Sequence, residues 1–433
     1  MTVLNGTRSE VVLDLASRAR AALAQVQEAP ADPAGRRDLL QETAAQIVRS
    51  FQAERLQAGA DMLGDDEASD LAADLVRRLQ GPGRLQALLA DATVRDVWCE
   101  GWDVVWVLRT DGTKERVAPF ADSDTDLVAL VVQLAADAAH ATEQERRFDP
   151  SAPILDLQLE DGSRLNAAAW VCKRPSLSIR KRRKDFKSLN DLVASGMITE
   201  EVREFLTAVV RSKCNCVVAG PTGAGKTTLV RALADVMRFD EHLITIEDVY
   251  ELGLDEDTAH HGIVTAFQAR EANGEGAGAV SMDALLKCAL RKSPDRILVG
   301  EVRGEEAVTM LEAMSKGDRG SLSTIHAESS LGAINMLTLQ CLKAQTPLTS
   351  AAAARLIGLA VNVIVVLEMN ADGVGYVAAI REITGSSNET PTSNELWEPG
   401  PDRRAQWALW PSHDLARRLA QAGWQGVRER GLR

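Results

Sequence analysis

A glycine-rich loop with one lysine is the first feature of the chain that has the residue types and spacing of a chemical site. Residues 220–227 read GPTGAGKT and fit the pattern GxxxxGK[ST] without a mismatch. Glycines let the backbone wrap closely around phosphates, so that amide groups and the next helix N-terminus face the anion. The loop therefore predicts a site for a nucleoside triphosphate. Its nucleotide-binding residues are Gly220, Pro221, Thr222, Gly223, Ala224, Gly225, Lys226, Thr227 and Thr228.

Within this loop, two side chains have the chemistry that phosphoryl transfer needs. The ammonium group of Lys226 should reach the β- and γ-phosphates, and the hydroxyl of Thr227 should ligate Mg²⁺. An apolar run, 215–219, precedes the loop, and a helical stretch, 228–237, follows it. This is the strand–loop–helix context that the motif requires.

Carboxylates follow two other apolar runs that are typical of buried strands. Glu301 comes after one run and Gly300, whereas Glu247 and Asp248 end another. Because the carboxyl ends of parallel strands share one edge of a sheet, these groups are expected beside the phosphate loop. Glu301 is the first candidate to orient or deprotonate the attacking water and to support Mg²⁺ through water. Glu247 and Asp248 are candidates for polarising water or supporting the metal. Gly300 stands where most phosphate-loop ATPases carry an aspartate.

Two more polar residues belong to the candidate catalytic set. His326 closes the alternating segment 320–325, where it could sense the γ-phosphate or relay a change between subunits. A lone histidine is more often structural, and its place after a fourth predicted strand is what favours a function. Arg303 follows Glu301 by two positions and is a candidate for stabilising transition-state charge.

The pattern around these motifs divides the chain into regions. Alternating strand and helix signals in the second half predict an α/β domain with a parallel sheet covered on both faces. A smaller α+β domain and a helical extension precede it. The expected boundaries are 1–78 for the helical extension, 79–180 for the α+β domain, 181–189 for a basic linker, 190–385 for the α/β domain, and 386–433 for a linker and C-terminal tail.

Composition limits the classes of protein to which this chain can belong. The 433 residues carry a formal net charge of -13, which does not favour broad, non-specific binding to nucleic acid. No apolar run approaches the roughly 20 residues of a membrane helix, and residues 1–8 lack the charged and apolar blocks of a signal peptide. We therefore expect a cytoplasmic protein that reaches a membrane only through a partner.

Taken in order, the motifs resemble those of a known superfamily. The phosphate loop, the acidic strand 244–248, the strand motif 296–304 and the histidine strand 320–327 are similar to the Walker A, Asp box, Walker B and His box of type II/type IV secretion ATPases. The similarity is closest to the Tad/Flp pilus (CpaF-like) branch. It extends over about residues 80–385, because segments such as 153–156 and 161–166 also follow the family pattern.

This resemblance implies a fold, an assembly and a task. It implies a RecA-like P-loop NTPase domain, a homo-hexamer, and ATP bound between the two domains with Mg²⁺. It also implies that arginines of the N-terminal domain or of a neighbouring subunit reach the phosphates; the matching positions are Arg147, Arg164 and Arg180. ATP hydrolysis would then power pilus assembly or secretion, through inner-membrane platform proteins at the cytoplasmic face of the membrane.

Two other classes of function are also considered on the basis of the sequence. The best support for a nucleic-acid motor on a similar core is the basic segment 173–187, although nucleic-acid binding is the weakest interpretation of this segment. A solvated linker and contacts to phosphates are about equally favoured. Aromatic residues make up only 4% of the chain, so stacking platforms for bases are not evident. A nucleotide-binding scaffold without turnover would need a lesion at Lys226 or Glu301, and the sequence has none.

Overall fold

The chain forms two compact units, Met1–Arg182 and Arg183–Arg433. The computed structural model describes residues 8–23, 33–79, 84–142, 147–182, 187–270, 278–316, 320–371 and 373–426. The division between the units falls inside the predicted basic linker, of which 183–186 lie outside the described residues.

The first unit opens with helices that share a core of their own. Leu15, Phe51 and Leu75 are almost fully buried in this core. These helices occupy most of the region that the sequence predicts to be a helical extension. They are α1 (Arg8–Leu23), α2 (Pro33–Gln57) and α3 (Asp65–Leu79).

An antiparallel sheet of six strands forms the rest of the first unit. The strand order is β3-β2-β1-β6-β5-β4, and every pairing is antiparallel. One face covers a core that includes Val97, Leu165 and Ile179. The elements are α4 (Arg84–Ala90), β1 (Val94–Glu100), β2 (Val105–Arg109), β3 (Lys114–Val117), α5 (Asp124–Thr142), β4 (Ile154–Gln158), β5 (Arg164–Ala168) and β6 (Ser176–Arg180).

The second unit alternates strands and helices, as its apolar runs predict. Its elements are α6 (Leu189–Ala194), α7 (Glu200–Arg211), β7 (Cys216–Ala219), α8 (Lys226–Ala234), β8 (His242–Glu247), β9 (Ile263–Gln268), α9 (Met282–Ala289), a 3₁₀ turn (Leu290–Lys292), β10 (Arg296–Val299), α10 (Glu306–Lys316), β11 (Leu322–Ile325), α11 (Ser330–Lys343), α12 (Ser350–Ala360), β12 (Val363–Met369), β13 (Gly375–Ser387), β14 (Thr390–Pro399), β15 (Ala405–Trp407) and α13 (His413–Gln421).

These strands form one nine-stranded sheet in the order β15-β14-β13-β12-β7-β11-β10-β8-β9. The pairings from β12 to β9 are parallel. Successive residues of β7 point to opposite faces, so Val218 packs in one core and Val217 in the other. Both faces are therefore buried, as expected for a parallel sheet covered by helices.

A buried amide fixes the amino-terminal edge of this parallel core. The Asn215 side chain donates to the carbonyls of Met314 and Ala360, at 2.9 and 2.6 Å. Its Oδ1 accepts from the backbone amides of Gly320 and Ser321, at 2.8 and 3.0 Å. One side chain thus joins the segments around α10, β11 and α12 just before β7 begins.

The prediction that region 386–433 begins with a linker is wrong. β13 continues to Ser387, and Thr390–Pro399 is β14, which pairs antiparallel with β13. The segment is rich in polar residues because most of β14 is only half-buried, and sequence composition does not reveal pairing with a distant strand. Beyond it, Trp397 packs on Phe205 of α7 at a ring-centroid distance of 4.6 Å, so this C-terminal region is part of the second unit.

Candidate nucleotide site

The phosphate loop joins β7 to α8 at the carboxyl-terminal edge of the parallel strands. Ala219 is level with Ile325 of β11 on one side and with Val366 of β12 on the other. Gly225 is the N-cap of α8 with a φ of 93°, a left-handed conformation that favours glycine. Thr222 and Gly223 are exposed at the loop tip, while Thr227 and Thr228 lie in the first turn of α8.

The loop itself holds the Lys226 ammonium group. Nζ donates to the carbonyl oxygens of Gly220 and Pro221, at 2.8 and 3.1 Å. The side chain is largely buried, and this burial lowers the pKa of the lysine, while the charge of Glu301 partly opposes the shift. A cation at this position, desolvated and surrounded by backbone, is suited to bind a strongly charged anion.

His326 connects this lysine to the predicted catalytic carboxylate. Its Nδ1 lies 3.4 Å from Lys226 Nζ, and its Nε2 lies 2.7 Å from Glu301 Oε1. The three residues come from β7–α8, from the end of β11 and from the end of β10. The structure therefore brings together three of the residues that the sequence predicts to be catalytic.

The contacts of the histidine determine its protonation state. Burial lowers the pKa of His326, and the charge of Lys226 lowers it further, so the imidazole is neutral near pH 7. Because an ammonium group has only donors, the Nδ1 that faces it presents its lone pair. The other ring nitrogen, Nε2, faces the carboxylate of Glu301.

Arg303 is the counter-ion of the acidic edge. Its guanidinium contacts Glu301 Oε2 and lies 3.6 Å from Asp248 Oδ2. The arginine side chain is 58% exposed, so it has room to change partners when an anion arrives. Asp248 itself is exposed and lies at the margin of the cluster.

The side chain of Glu247 occupies the space beside Gly300. A Cβ on Gly300 would lie 2.9 Å from Cγ of Glu247, so the space that a Walker B aspartate needs is filled by the neighbouring strand. Glu247 is buried, and its Oε2 accepts from the backbone amides of Glu251 and Leu252, at 2.8 and 2.9 Å. Glu247 thus fixes the loop after β8, which differs from the role in polarising water that the sequence suggests.

That loop presents a residue outside the predicted catalytic set. Glu251 Oε2 accepts a hydrogen bond of 3.2 Å from the hydroxyl of Thr227, the predicted Mg²⁺ ligand. A hydroxyl and a carboxylate are oxygen donors of the kind that Mg²⁺ prefers. The sequence signal was present, because Glu251 follows the Asp box by three residues, but only the turn fixed by Glu247 brings it to the phosphate loop.

The predicted arginines lie in the first unit. Arg180 and Arg164 are directly opposite each other on β6 and β5, and Arg180 is also opposite Asp96 of β1, which it contacts at 3.1 Å. Arg147 is exposed and pairs with Asp149 at 2.7 Å. Like charges directly opposite in a sheet are destabilising, so the Arg164–Arg180 pair is a feature that stability alone does not favour.

Among the described residues, no helix has both the length and the apolar character needed to cross a membrane. This observation concerns the described ranges alone. The apolar segment 359–367 is divided between the end of α12 and β12, whose residues are mostly buried in the second unit.

Comparison with known proteins gives consistent matches. The family described as "Type II/IV secretion system protein" matches residues 80–369. A putative conjugal transfer protein of Mycobacterium tuberculosis is 35% identical over 276 residues, which are 62% of this chain and 75% of that protein. The conjugal transfer protein TrbB of Rhizobium radiobacter is 31% identical over 311 residues, 69% of this chain and 87% of that protein.

A solved structure supports the fold. The X-ray structure of the Legionella pneumophila ATPase DotB aligns with a TM-score of 0.50 and 16% identity, over 69% of this chain and 80% of that one. At this identity the likeness concerns the fold alone. It agrees with the RecA-like arrangement of parallel strands around a phosphate loop that the sequence predicts.

Proposed function

The chain belongs to the type II/IV secretion system protein family and is a P-loop ATPase of that family; we propose that its ATP hydrolysis drives a secretion, conjugation or pilus-assembly machine. The observation that carries the catalytic part is the continuous contact from Lys226 through His326 to Glu301. This contact brings an ammonium group, an imidazole and a carboxylate together at one edge of the sheet, which supports the proposed roles.

Binding of the triphosphate is the task of the loop. Its backbone amides and the N-terminus of α8 face the anion, and Lys226 exchanges the carbonyls of Gly220 and Pro221 for phosphate oxygens. The Thr227 hydroxyl and Glu251 are the oxygen donors that fit Mg²⁺. When bound, the metal ion neutralises charge on the β- and γ-phosphates.

The chemical step is assigned to Glu301. Its carboxylate orients the attacking water and accepts its proton, for in-line displacement at the γ-phosphate. His326 Nε2 lies 2.7 Å from one carboxylate oxygen, and Arg303 contacts the other. Arg303 is exposed enough to turn from Glu301 toward the developing negative charge, where an additional cation lowers the barrier.

Arginines of the first unit complete the proposal. Arg164 and Arg180 form a cross-strand pair of like charges, which is the kind of cationic feature that binds phosphate oxygens. The family resemblance assigns Arg147 to the same task. Each of these arginines acts either within its own subunit or on a neighbour in the proposed homo-hexamer.

The cellular setting follows from the family and not from the site. We propose a cytoplasmic position at the inner face of the membrane, with inner-membrane platform proteins as partners. The names of the relatives include conjugal transfer proteins, which supports a transfer or secretion machine as the setting. The Tad/Flp branch stays a prediction; pilin-like and platform genes beside this one would support it.

Purified protein tests the catalytic assignment. Glu301→Gln should lower the turnover of MgATP by about 100- to 1,000-fold, because the amide neither accepts the proton nor positions water as well. The matched control is Glu398→Gln, at an exposed position of β14, which should retain wild-type turnover. Wild-type-like turnover of Glu301→Gln would refute the role given to this carboxylate.

A further inference from the structure

The ribbon formed by β12 and β13 lies against the phosphate loop on the side away from His326. β12 pairs with β7 as far as Val366, and its last residues continue beside the loop. The Leu367 carbonyl oxygen would lie 2.8 Å from a Cβ on Gly220, and Met369 Sδ would lie 3.9 Å from one on Gly223. The loop is therefore supported from one side by a pair of strands.

Gly375 makes the closest of these approaches. A Cβ on Gly375 would lie 1.9 Å from the carbonyl oxygen of Ala224 and 2.8 Å from its carbonyl carbon. The φ of Gly375 is outside the left-handed region, so no left-handed backbone conformation requires glycine here. Glycine is required here because of space, and the atom that excludes a side chain belongs to the phosphate loop.

We propose that Gly375 is a positioning residue for nucleotide binding, which fixes the peptide between Ala224 and Gly225. In a planar trans peptide the carbonyl oxygen and the amide hydrogen point in opposite directions. Because the Ala224 carbonyl is directed at Gly375, the Gly225 N–H points away from the ribbon and into the loop. Because Gly375 has no side chain, its backbone packs directly against the Ala224 carbonyl and holds the Gly225 amide in position to bind an anion. The inference rests on the proposed binding of nucleotide at this loop.

The C-terminal region holds the ribbon in turn. Arg403 donates to both carboxylate oxygens of Glu368 on β12, at 2.9 Å each, and Tyr376 donates to the same carboxylate at 3.1 Å. The Arg404 guanidinium lies 5.1 Å from the centre of the Tyr376 ring. Gly375 and both arginines follow the residues 80–369 that match the family, so this chain supports its phosphate loop with residues outside that match.

Gly375→Ala tests the proposal in the full chain. The variant should bind MgADP about tenfold to 100-fold more weakly, because the loop must shift to admit the methyl group. Gly358→Ala is the matched control: its Cβ would lie 2.5 Å from the backbone oxygen of Gly385, a similar clash away from the loop. Calorimetric titration with MgADP and thermal unfolding without nucleotide are measured for both variants. The expected result is weaker binding by Gly375→Ala alone, at a comparable melting temperature.

The outcomes separate the two proposals. If the wild type binds MgADP and Gly375→Ala binds it as tightly, the positioning role is overturned while the proposed function stands. A wild type that does not bind MgADP contradicts the proposed function itself. If both glycine variants bind more weakly to the same extent, the effect is general destabilisation and the positioning role is overturned.

A second variant keeps the test available if Gly375→Ala does not fold. Arg403→Ala releases Glu368 without introducing a clash and should weaken MgADP binding about two- to fivefold, the range of an exposed ion pair. Arg417→Ala, which removes an exposed pair with Asp414 on α13, is its control and should bind as the wild type does. Equal binding by the two arginine variants would overturn the role of the ribbon.

Discussion

The two sheets of this protein use polar residues in different ways. In the second unit, parallel strands all end at one edge, and Lys226, His326 and Glu301 meet there although they come from three separate motifs. In the antiparallel sheet of the first unit, strand ends alternate between opposite edges. Its functional candidates are instead cross-strand neighbours, such as Arg164 and Arg180. In a parallel sheet, residues that follow different strands lie together at one edge. In an antiparallel sheet, residues lie together when the strand register places them opposite each other.

The largest effect is expected where the parallel edge holds its cation. Lys226→Ala should lower kcat by about 1,000-fold, or about 4 kcal/mol of transition-state stabilisation, because no other side chain of the loop carries a positive charge. Lys287→Ala, which removes an exposed lysine that pairs with Asp283, should leave kcat unchanged. Steady-state hydrolysis of MgATP measures both. A similar modest loss in the two variants would mean that the parallel edge is not the site.

A smaller effect is expected on the free energy of unfolding, where a polar contact of each sheet is removed in turn. Asn215→Ala leaves two amides and two carbonyls of the parallel core without their buried partner and should lower the free energy of unfolding by about 2–4 kcal/mol. Asn166→Ala, on an exposed face of the antiparallel sheet, removes one hydrogen bond to Asp156 and should cost less than about 0.5 kcal/mol. Urea unfolding measures both, and equal losses would contradict the contrast.

A smaller effect tests whether register in the antiparallel sheet serves catalysis. Arg180→Ala should lower kcat about tenfold, equivalent to about 1.4 kcal/mol, if this guanidinium reaches phosphate oxygens. The unfolding free energy should change little, because the Arg180 side chain is half-exposed, the buried Asp96 keeps its ion pair with Arg95, and a repulsion with Arg164 is relieved. Arg116→Ala, an exposed arginine of β3, is the control. Unchanged kcat in Arg180→Ala would limit the site to the parallel edge.

The smallest effect concerns pH. Because the pKa of His326 is lowered, the neutral imidazole persists through neutral pH, and its contribution to stability is complete above about pH 6.5. As pH falls further, protonation of Nδ1 places a positive charge against Lys226, with Arg303 nearby and only Glu301 opposing. Turnover should therefore fall severalfold between about pH 6.5 and pH 5. The fall in turnover caused by protonation of His326 should be absent from His326→Gln. If the pH–rate profiles of the wild type and the variant have identical acid limbs, His326 is not its cause.

The sequence predicts the parallel edge well because its signals are local. The phosphate loop, Glu301 and His326 each follow a short apolar run, and parallel topology then requires them to meet. In contrast, β14 was expected to be a linker, since a polar, half-buried strand differs little from a loop until its partner is known. Strands of this kind are stabilised by pairing with their neighbours, here β13 and β15, which composition does not report.

Two features of the site are not evident from the sequence, because they depend on contacts between segments that are distant in the chain. Glu251 reaches Thr227 only because Glu247 fixes the intervening turn. The requirement for glycine at position 375 arises from the Ala224 carbonyl, which lies about 150 positions earlier in the chain. No local pattern encodes either contact, whereas the residue types at strand ends are sufficient to predict that Lys226, Glu301 and His326 lie close together.

The central claim is that the parallel edge binds ATP before Glu301 acts on it. Calorimetric titration of Glu301→Gln with MgATP tests this claim most directly, because slow hydrolysis keeps the nucleotide intact during the measurement. We expect saturable binding comparable to that of MgADP to the wild type, and we expect it to be lost when Lys226→Ala is added. Absence of binding by folded Glu301→Gln, or binding that survives the loss of Lys226, would show that ATP does not bind at this edge as proposed.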